Sequence, residues 1–364
     1  MLWAAYIALI VIGLFCKNSR AYDLTVILFM GLLAWLNTNH ADYATYLSIY
    51  LNPTMIPDVD LGWVFLCELG SLIGLSYNGF ACVITVMAML LYREFSKLIG
   101  GNTSLTLALF LVYPGIISLV QFRQFVASTI GCLAVAVLCS KSKRSTLWYL
   151  LLVACAVFVQ RTAVVFLIAI FAKVFFVCGK RGRLIIGLVA VLGVAFALAN
   201  AEDLALSMFG EMRTSAYLSA GDGSLSVGTL GAIRNTLLLV MMAITPYCCC
   251  KTMARQVTPV FSEVWGSGIA LSLKYIVLIN VSLLIITPFV FITNDFMRFE
   301  RHGFSLAIAL FSMMPSLKDR HPVLSCKAFY LFIGIIFAYF YAGVVFDSVY
   351  APMLTFSSVP PFFS

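Results

Sequence analysis

The stretch "LTLALFLVYPGIISLVQFRQFVASTIGCLAVAVLC" (105–139) holds two almost wholly apolar runs, and between them sit Gln121, Arg123 and Gln124. Each run is long enough for a membrane helix, and the junction is too short to be anything but a tight turn between two of them. The rest of the chain repeats the pattern. Of its 364 residues, 62% are hydrophobic and only 10% charged, against about 25% charged in a soluble domain. Mean hydropathy is +1.03. Apolar runs of this kind recur from end to end, so the sequence predicts an all-α fold: a polytopic integral membrane helix bundle, read as a single domain over 1–364.

The hydropathy rule places about twelve transmembrane helices, near 2–16, 23–37, 78–92, 105–121, 124–139, 146–160, 163–177, 184–200, 229–249, 268–291, 303–316 and 328–346. The segment "LGWVFLCELGSLIGLSY" (61–77) is apolar but carries Glu68, and suits a re-entrant or interfacial helix. The first run lacks a basic n-region and an A-x-A-like site, so no cleavable signal peptide is expected. The 11 cysteines are scattered without a C-x-x-C pair, which suggests neither a disulfide framework nor a zinc site.

Basic residues set the orientation. Six short connections hold 16 of the 23: Lys17/Arg20, Arg93/Lys97, Lys141/Lys143/Arg144, Lys173/Lys180/Arg181/Arg183, Lys251/Arg255 and Lys318/Arg320/Lys327. All six fall on one side if the spans alternate, and the positive-inside rule makes that side cytoplasmic, with both termini facing out. The net charge of +8 is therefore a topology signal, and a nucleic-acid partner is not expected. The longest outer connections are 38–77 and 201–228.

The outer side carries no lysine but six arginines: Arg123, Arg161, Arg213, Arg234, Arg298 and Arg301. Arginine stays charged when partly buried and offers a planar fork that matches phosphate oxygens. The alternative for each is snorkelling to the interface with an ion pair to an outer acid. As a set, they point to a phosphate-bearing ligand. In "HADYATYLSIY" (40–50) a helix brings Asp42 and Tyr46 together and puts Tyr43 on the face of Tyr46 and Tyr50. A carboxylate beside aromatic rings suits a sugar; an interfacial aromatic belt is the plainer alternative, and it is the better reading of Tyr50.

Further junctions repeat the theme. In "VFVQRTAVV" (157–165) Gln160 and Arg161 interrupt two apolar runs, and "TNDFMRFERHG" (293–303) sets Arg298, Arg301 and His302 close on one helix. His302 and His40 are the outer histidines and hence candidate proton acceptors. The segment "MRTSAYLSAGDGSLSVG" (212–228) has the composition of a flexible loop. No Walker A, H-E-x-x-H or G-x-S-x-G motif is present. Asp58-Val59-Asp60 has a D-x-D spacing but sits in the proline-rich turn "NPTMIPDVDLG" (52–62), so no metal and no cofactor is expected.

These residues resemble a family. The order D-Y-x-x-Y (Asp42–Tyr46) after the second span, then R-Q-x-x-A (Arg123–Ala127) opening a later one, is similar to the EpsG-type polysaccharide polymerases, a branch of the Wzy O-antigen and exopolysaccharide polymerases. A tyrosine in a glycine-containing outer loop (Tyr217, Gly221), the Arg298/Arg301 junction and the Pro360–Phe362 ending fit as well. The similarity runs from about residue 20 to the C-terminus. One departure is "QRTA" (160–163), where the family often has a histidine followed by a small residue and alanine.

The resemblance implies a glycosyltransferase-C-like enzyme of the bacterial inner membrane. It would join undecaprenyl-pyrophosphate-linked oligosaccharide repeat units of lipopolysaccharide O-antigen or exopolysaccharide on the outer, periplasmic face, with membrane lipid around it and a flippase and chain-length regulator as pathway partners. On that reading Arg123, Gln124, Arg161, Arg298 and Arg301 hold the pyrophosphate, and Tyr43, Tyr46 and Tyr217 contact glycan. Asp42 or His302 acts as base. The rivals are a lipid-linked oligosaccharide flippase or other transporter, and a single-sugar or acyl transferase acting on the same glycan. A transporter predicts mid-depth charges and an internal repeat; Lys274 and Glu68 are the main such charges, and the halves show no repeat.

Overall fold

The computed structural model describes residues 2–179 apart from 41, 57, 58 and 141, then 267–286 and 297–313, with scattered positions between 181 and 247 and at 334, 353–354 and 360–363. All regular structure among these residues is helical, apart from one isolated antiparallel bridge between Leu75 and Phe363. Two compact units emerge: Met1–Gln160 with Ile308–Ser364, and Arg161–Ala307.

The first unit opens with the hairpin α1 (Leu2–Phe15) and α2 (Arg20–Leu36). Ser19 caps α2 by accepting from the Tyr22 backbone N–H at 3.3 Å. Helix α2 buries Val26, Ile27, Met30, Leu33 and Ala34, while Leu24, Leu28 and Leu32 are exposed at a four-residue spacing. An apolar stripe on the outside as well as the inside has no rationale in water and an ordinary one in hydrocarbon. Among the described residues two spans are long and apolar enough to cross a membrane: α5 (Tyr77–Leu98) and Thr103–Val120. The helices α8 (Phe122–Leu138) and α9 (Ser145–Val159) complete the described bundle of this unit. The protein is a helical membrane protein. Expected spans at 184–200, 229–249 and 328–346 lie largely outside the described residues.

The span expected over 105–121 is broken. It runs as α6 (Thr103–Phe110), a wide turn at Leu111–Gly115, and α7 (Ile116–Val120). Pro114 has no N–H to give the ladder, and its ring forces Tyr113 into extended backbone (φ −166°, ψ 137°). Such a break survives at membrane depth only inside protein. Leu111, Tyr113, Pro114 and Gly115 are all buried, and the Leu111 carbonyl accepts from the Tyr6 hydroxyl at 2.5 Å. A window average of hydropathy reads straight through this proline, which is why the run looked continuous.

One end of the unit gathers basic connections. Asn18 and Asn102 cross-cap neighbouring turns: Asn102 donates to the Cys16 carbonyl at 3.0 Å, and Asn18 accepts from the Thr103 N–H at 2.8 Å. The Asn102 N–H also reaches the Ser312 carbonyl. Beside them Asp23, 0% exposed, accepts from Arg93 Nε at 2.8 Å, Thr103 Oγ1 at 2.7 Å and Ser104 Oγ at 2.8 Å. That carboxylate joins α2, α5 and α6. Lys17, Arg20 and Lys97 share this end, as alternation of the spans requires.

At the opposite end of the unit, the connection 38–77 folds into two short helices, α3 (Tyr43–Leu51) and α4 (Leu61–Leu72). At 9 and 12 residues neither reaches the roughly 20 that a span needs. Helix α4 buries Gly62, Trp63, Cys67 and Gly70 and exposes Leu61, Phe65, Leu69 and Leu72. The C-terminal residues seat on the start of α5. The Ser76 N–H donates to the Phe362 carbonyl at 3.0 Å, and Trp35 meets Phe362 edge-on. Gly79 permits this approach, because a Cβ there would lie 2.0 Å from the Phe362 carbonyl oxygen.

The second unit holds a 3-10 segment (Arg161–Leu167) leading into α10 (Ile168–Val177), then α11 (Ser267–Ser282) and the first part of α12 (Met297–Met313). Helix α12 begins at Met297, six residues before the span expected at 303, so Arg298 and Arg301 lie within its first turns rather than before it.

Candidate functional site

Two of the sequence-predicted groups meet at the α3/α4 end of the first unit. Helix α3 carries Tyr43 and Tyr46, with Asp42 at its N-cap position. Helix α8 begins at Phe122 and carries Arg123 and Gln124 in its first turn. Tyr46 joins them: its ring lies edge-on to Phe122 at 5.9 Å and to Trp63 at 5.9 Å. His40 packs edge-on to both Tyr43 and Phe122. Tyr43 meets Tyr77 edge-on at 5.2 Å and donates its hydroxyl to Asn78 Oδ1 at 2.8 Å. Asn78 is held in turn, its Nδ2 donating to the Trp35 carbonyl at 2.8 Å. Asp42, Tyr43 and Tyr46 all lie close to the Tyr77 phenol. Asp42 and Tyr43 are half-buried, and Tyr46 is buried.

Arg123 is only 8% exposed. Its Nη1 reaches Asp60 Oδ2 at 3.3 Å. Asp60 sits at the N-cap position of α4 but makes no capping hydrogen bond there; its carboxylate serves the arginine instead. The outer acid that partners Arg123 is therefore Asp60. Arg123 Nε has no hydrogen-bond partner among the described residues, so one edge of the guanidinium fork is uncommitted. The first turn of α8 supplies backbone N–H groups and a positive dipole end at the same place.

Beside the Arg123–Asp60 pair and Asp42, His40 and Tyr43 serve this end as neutral hydrogen-bonding groups. Burial pushes the His40 imidazole down to about 4, so it is uncharged at neutral pH. Burial raises the Tyr43 phenol, partly offset by its bond to Asn78. Glu68, on α4, is exposed.

The remaining candidates lie in the second unit or outside the described residues. Arg161, Arg298 and Arg301 are each partly exposed. His302 is fully buried; its Nε2 lies 3.1 Å from the Thr162 hydroxyl and its ring packs on Phe166. This contact links the Arg161 junction to the Arg298/Arg301 junction. Gly303 lets α11 come close, since a Cβ there would stand 2.8 Å from Asn280 Oδ1. Tyr217 and Asp58 lie outside the described residues. No group of three or more His, Cys, Asp or Glu is placed to hold a metal among the described residues.

Trp63, Tyr77, Asn78 and the partnership of Asp60 were not singled out by sequence reasoning. Trp63 and Tyr77 bound the apolar segment 61–77, whose single charge, Glu68, drew the reading away from them. An asparagine opening an apolar span was the available signal for Asn78.

The architecture and the site define a class: a helical membrane protein whose described aromatic and arginine-bearing end suits sugar and anion chemistry. The chain belongs to the EpsG family, which it matches over residues 20–358 and which consists of Wzy-like polymerases and glycosyltransferases. It is thus a membrane protein of polysaccharide biosynthesis, of the polymerase type, with glycosyltransferase-like activity. No curated protein and no solved structure matches the chain.

Proposed function

We propose that the protein extends a polysaccharide by joining repeat units carried on undecaprenyl pyrophosphate, at the outer face of a bacterial inner membrane. The observation that supports this reading is the meeting of the Asp42/Tyr43/Tyr46 group with Arg123 through Phe122. A sugar hydroxyl of the incoming unit attacks the anomeric carbon of the growing chain. One C–O bond forms, the C–O bond to pyrophosphate breaks, and the hydroxyl proton passes to Asp42. Arg123, with Gln124, balances the charge that develops on the departing pyrophosphate; Arg161, Arg298 and Arg301 are the further pyrophosphate candidates that the sequence offers. Tyr43, Tyr46 and Tyr217 contact glycan. His302, buried against Thr162 and Phe166, holds the two arginine junctions in register, and its service as a base requires that contact to open. The expected architecture of about twelve spans on a glycosyltransferase-C-like plan, with a flippase and chain-length regulator as partners, belongs to the same proposal.

Deletion in the source organism followed by a glycan ladder gel tests it. Loss of the polymerase leaves single repeat units on the outer lipid. A flippase, the reading that the broken α6–α7 span favours, leaves none outside.

Two further outcomes are expected. A cysteine at exposed Ser142, between Lys141 and Lys143, is labelled only from the cytoplasm, and one at Ser224 from outside; outside labelling at Ser142 reverses the orientation. The purified protein also keeps its activity in EDTA, because arginines replace the usual metal in charge balance. Activity lost to EDTA and restored by magnesium or manganese overturns that assignment.

A further inference from the structure

Six of the thirteen buried side-chain polar atoms without a hydrogen-bond partner among the described residues lie at one end of the first unit. Among the described residues Trp35 Nε1, Asn37 Nδ2, His40 Nδ1, Trp63 Nε1, Tyr77 OH and Arg123 Nε are buried without a partner. All six belong to the α3/α4 end of the first unit, whereas Asp23 at its other end accepts from three donors. A buried hydrogen-bonding group left unpaired is costly, so six at one end of the unit are not expected in a structure that merely packs. They stand in a setting of aromatic walls: Tyr77 meets Tyr43 at 5.2 Å and Tyr50 at 5.9 Å, and Trp63 meets Tyr46 at 5.9 Å and Phe80 at 5.7 Å.

From this we infer that the α3/α4 end is a carbohydrate subsite in which Trp63, Tyr77 and His40 bind a pyranose ring. Sugar hydroxyls take up the indole N–H, the phenol and the imidazole, and the apolar ring face lies on Tyr43 or Tyr46. This rests on the proposed function and extends it, because it adds Trp63 and Tyr77, which neither the motifs nor the charge pattern contained, and gives His40 a binding role. The subsite is closed in this conformation, with Trp63 at 1% and Tyr77 at 5% exposure. Half-buried Asp42 and Tyr43 lie beside the Tyr77 phenol, and binding a ring requires the side chains there to part.

The test uses two tyrosines whose hydroxyls differ in one respect. The Tyr50 hydroxyl donates to the Leu75 carbonyl at 2.6 Å, and that of Tyr77 has no partner. The probe is the lipid-free oligosaccharide released from the source polysaccharide, titrated calorimetrically into purified full-length protein, with melting temperature in detergent as the second readout. Tyr77→Phe is expected to bind the probe about tenfold more weakly, the effect of one lost hydrogen bond to a ligand. It melts at the wild-type temperature or about 2–4 °C above it. Tyr50→Phe behaves in the opposite way, melting lower and binding as the wild type does. If Tyr77→Phe binds the probe normally while the wild type extends glycan, the subsite is overturned and the polymerase reading stands. If Tyr77→Phe loses stability as Tyr50→Phe does, its hydroxyl is structural and the subsite is equally overturned. A wild-type protein that neither binds the probe nor extends glycan overturns both.

Discussion

Replacing Arg123 by lysine is expected to reduce chain extension by roughly 30- to 1000-fold, the equivalent of about 2–4 kcal/mol of lost transition-state stabilisation. The protein level should stay near that of the wild type. The two halves of this expectation have separate causes. Lysine keeps a positive charge that can still pair with Asp60, so the buried carboxylate is not abandoned. It loses the planar fork, including the Nε edge that has no partner among the described residues, and an ammonium cannot replace bidentate geometry toward a phosphate. Asp60→Asn completes the comparison. It removes the ion pair at 3.3 Å and leaves a buried cation, which destabilises the protein while keeping the fork. If Arg123 serves only as a counter-charge for Asp60, lysine substitutes well and only the stability of the Asp60 variant suffers. The measurement is the length distribution of glycan at matched protein level. A wild-type ladder from Arg123→Lys removes the pyrophosphate assignment for this residue.

The largest stability effect is expected at the other end of the same unit. Asp23→Ala should lower the apparent melting temperature in detergent by about 6–12 °C, corresponding to about 3 kcal/mol at a few degrees per kcal/mol. The carboxylate is completely buried and collects three donors from two other helices. It also lies in the first turn of α2, where a negative charge meets the positive end of the helix dipole. Arg93 is not wholly stranded by the change, because its Nη1 also reaches Glu94 at 2.7 Å and its side chain is 20% exposed, so the loss falls at the lower end for a broken buried pair. At a permissive temperature the Asp23 variant should extend glycan at the wild-type rate per molecule. Arg123→Lys shows the reverse pattern, and the pair separates fold from chemistry. An Asp23→Ala protein with unchanged melting temperature would show that the network holds nothing together.

Much of this was legible in the residues themselves. Hydropathy is a local, additive property, and among the described residues two of the runs that it marks are helices within a residue or so of their expected ends: 2–16 as Leu2–Phe15 and 146–160 as Ser145–Val159. The spacing of Asp42, Tyr43 and Tyr46 is likewise a property of one helix. Arg123 at the start of α8 followed from a polar break between two apolar runs. The resemblance to the family was carried by these same short motifs, and the family match extends over residues 20–358.

What the chain alone determined is therefore its membrane class, the approximate positions of several helices among the described residues and the two motifs whose residue types suit a sugar and an anion. The tertiary structure decided what those motifs touch. Arg123 and Asp60 are 63 residues apart, and no local pattern distinguishes Asp60 from the other acids expected on the outer side. Their pairing depends on α4 turning back beside the start of α8. The same holds for Asp23, which reads as an ordinary first-turn acid until α5 and α6 bring Arg93, Thr103 and Ser104 to it. It holds for Trp63 and Tyr77 too, whose importance lies in hydrogen bonds they do not make. Which donors are satisfied is a property of the whole packed set of neighbours, and that set exists only once the helices have met.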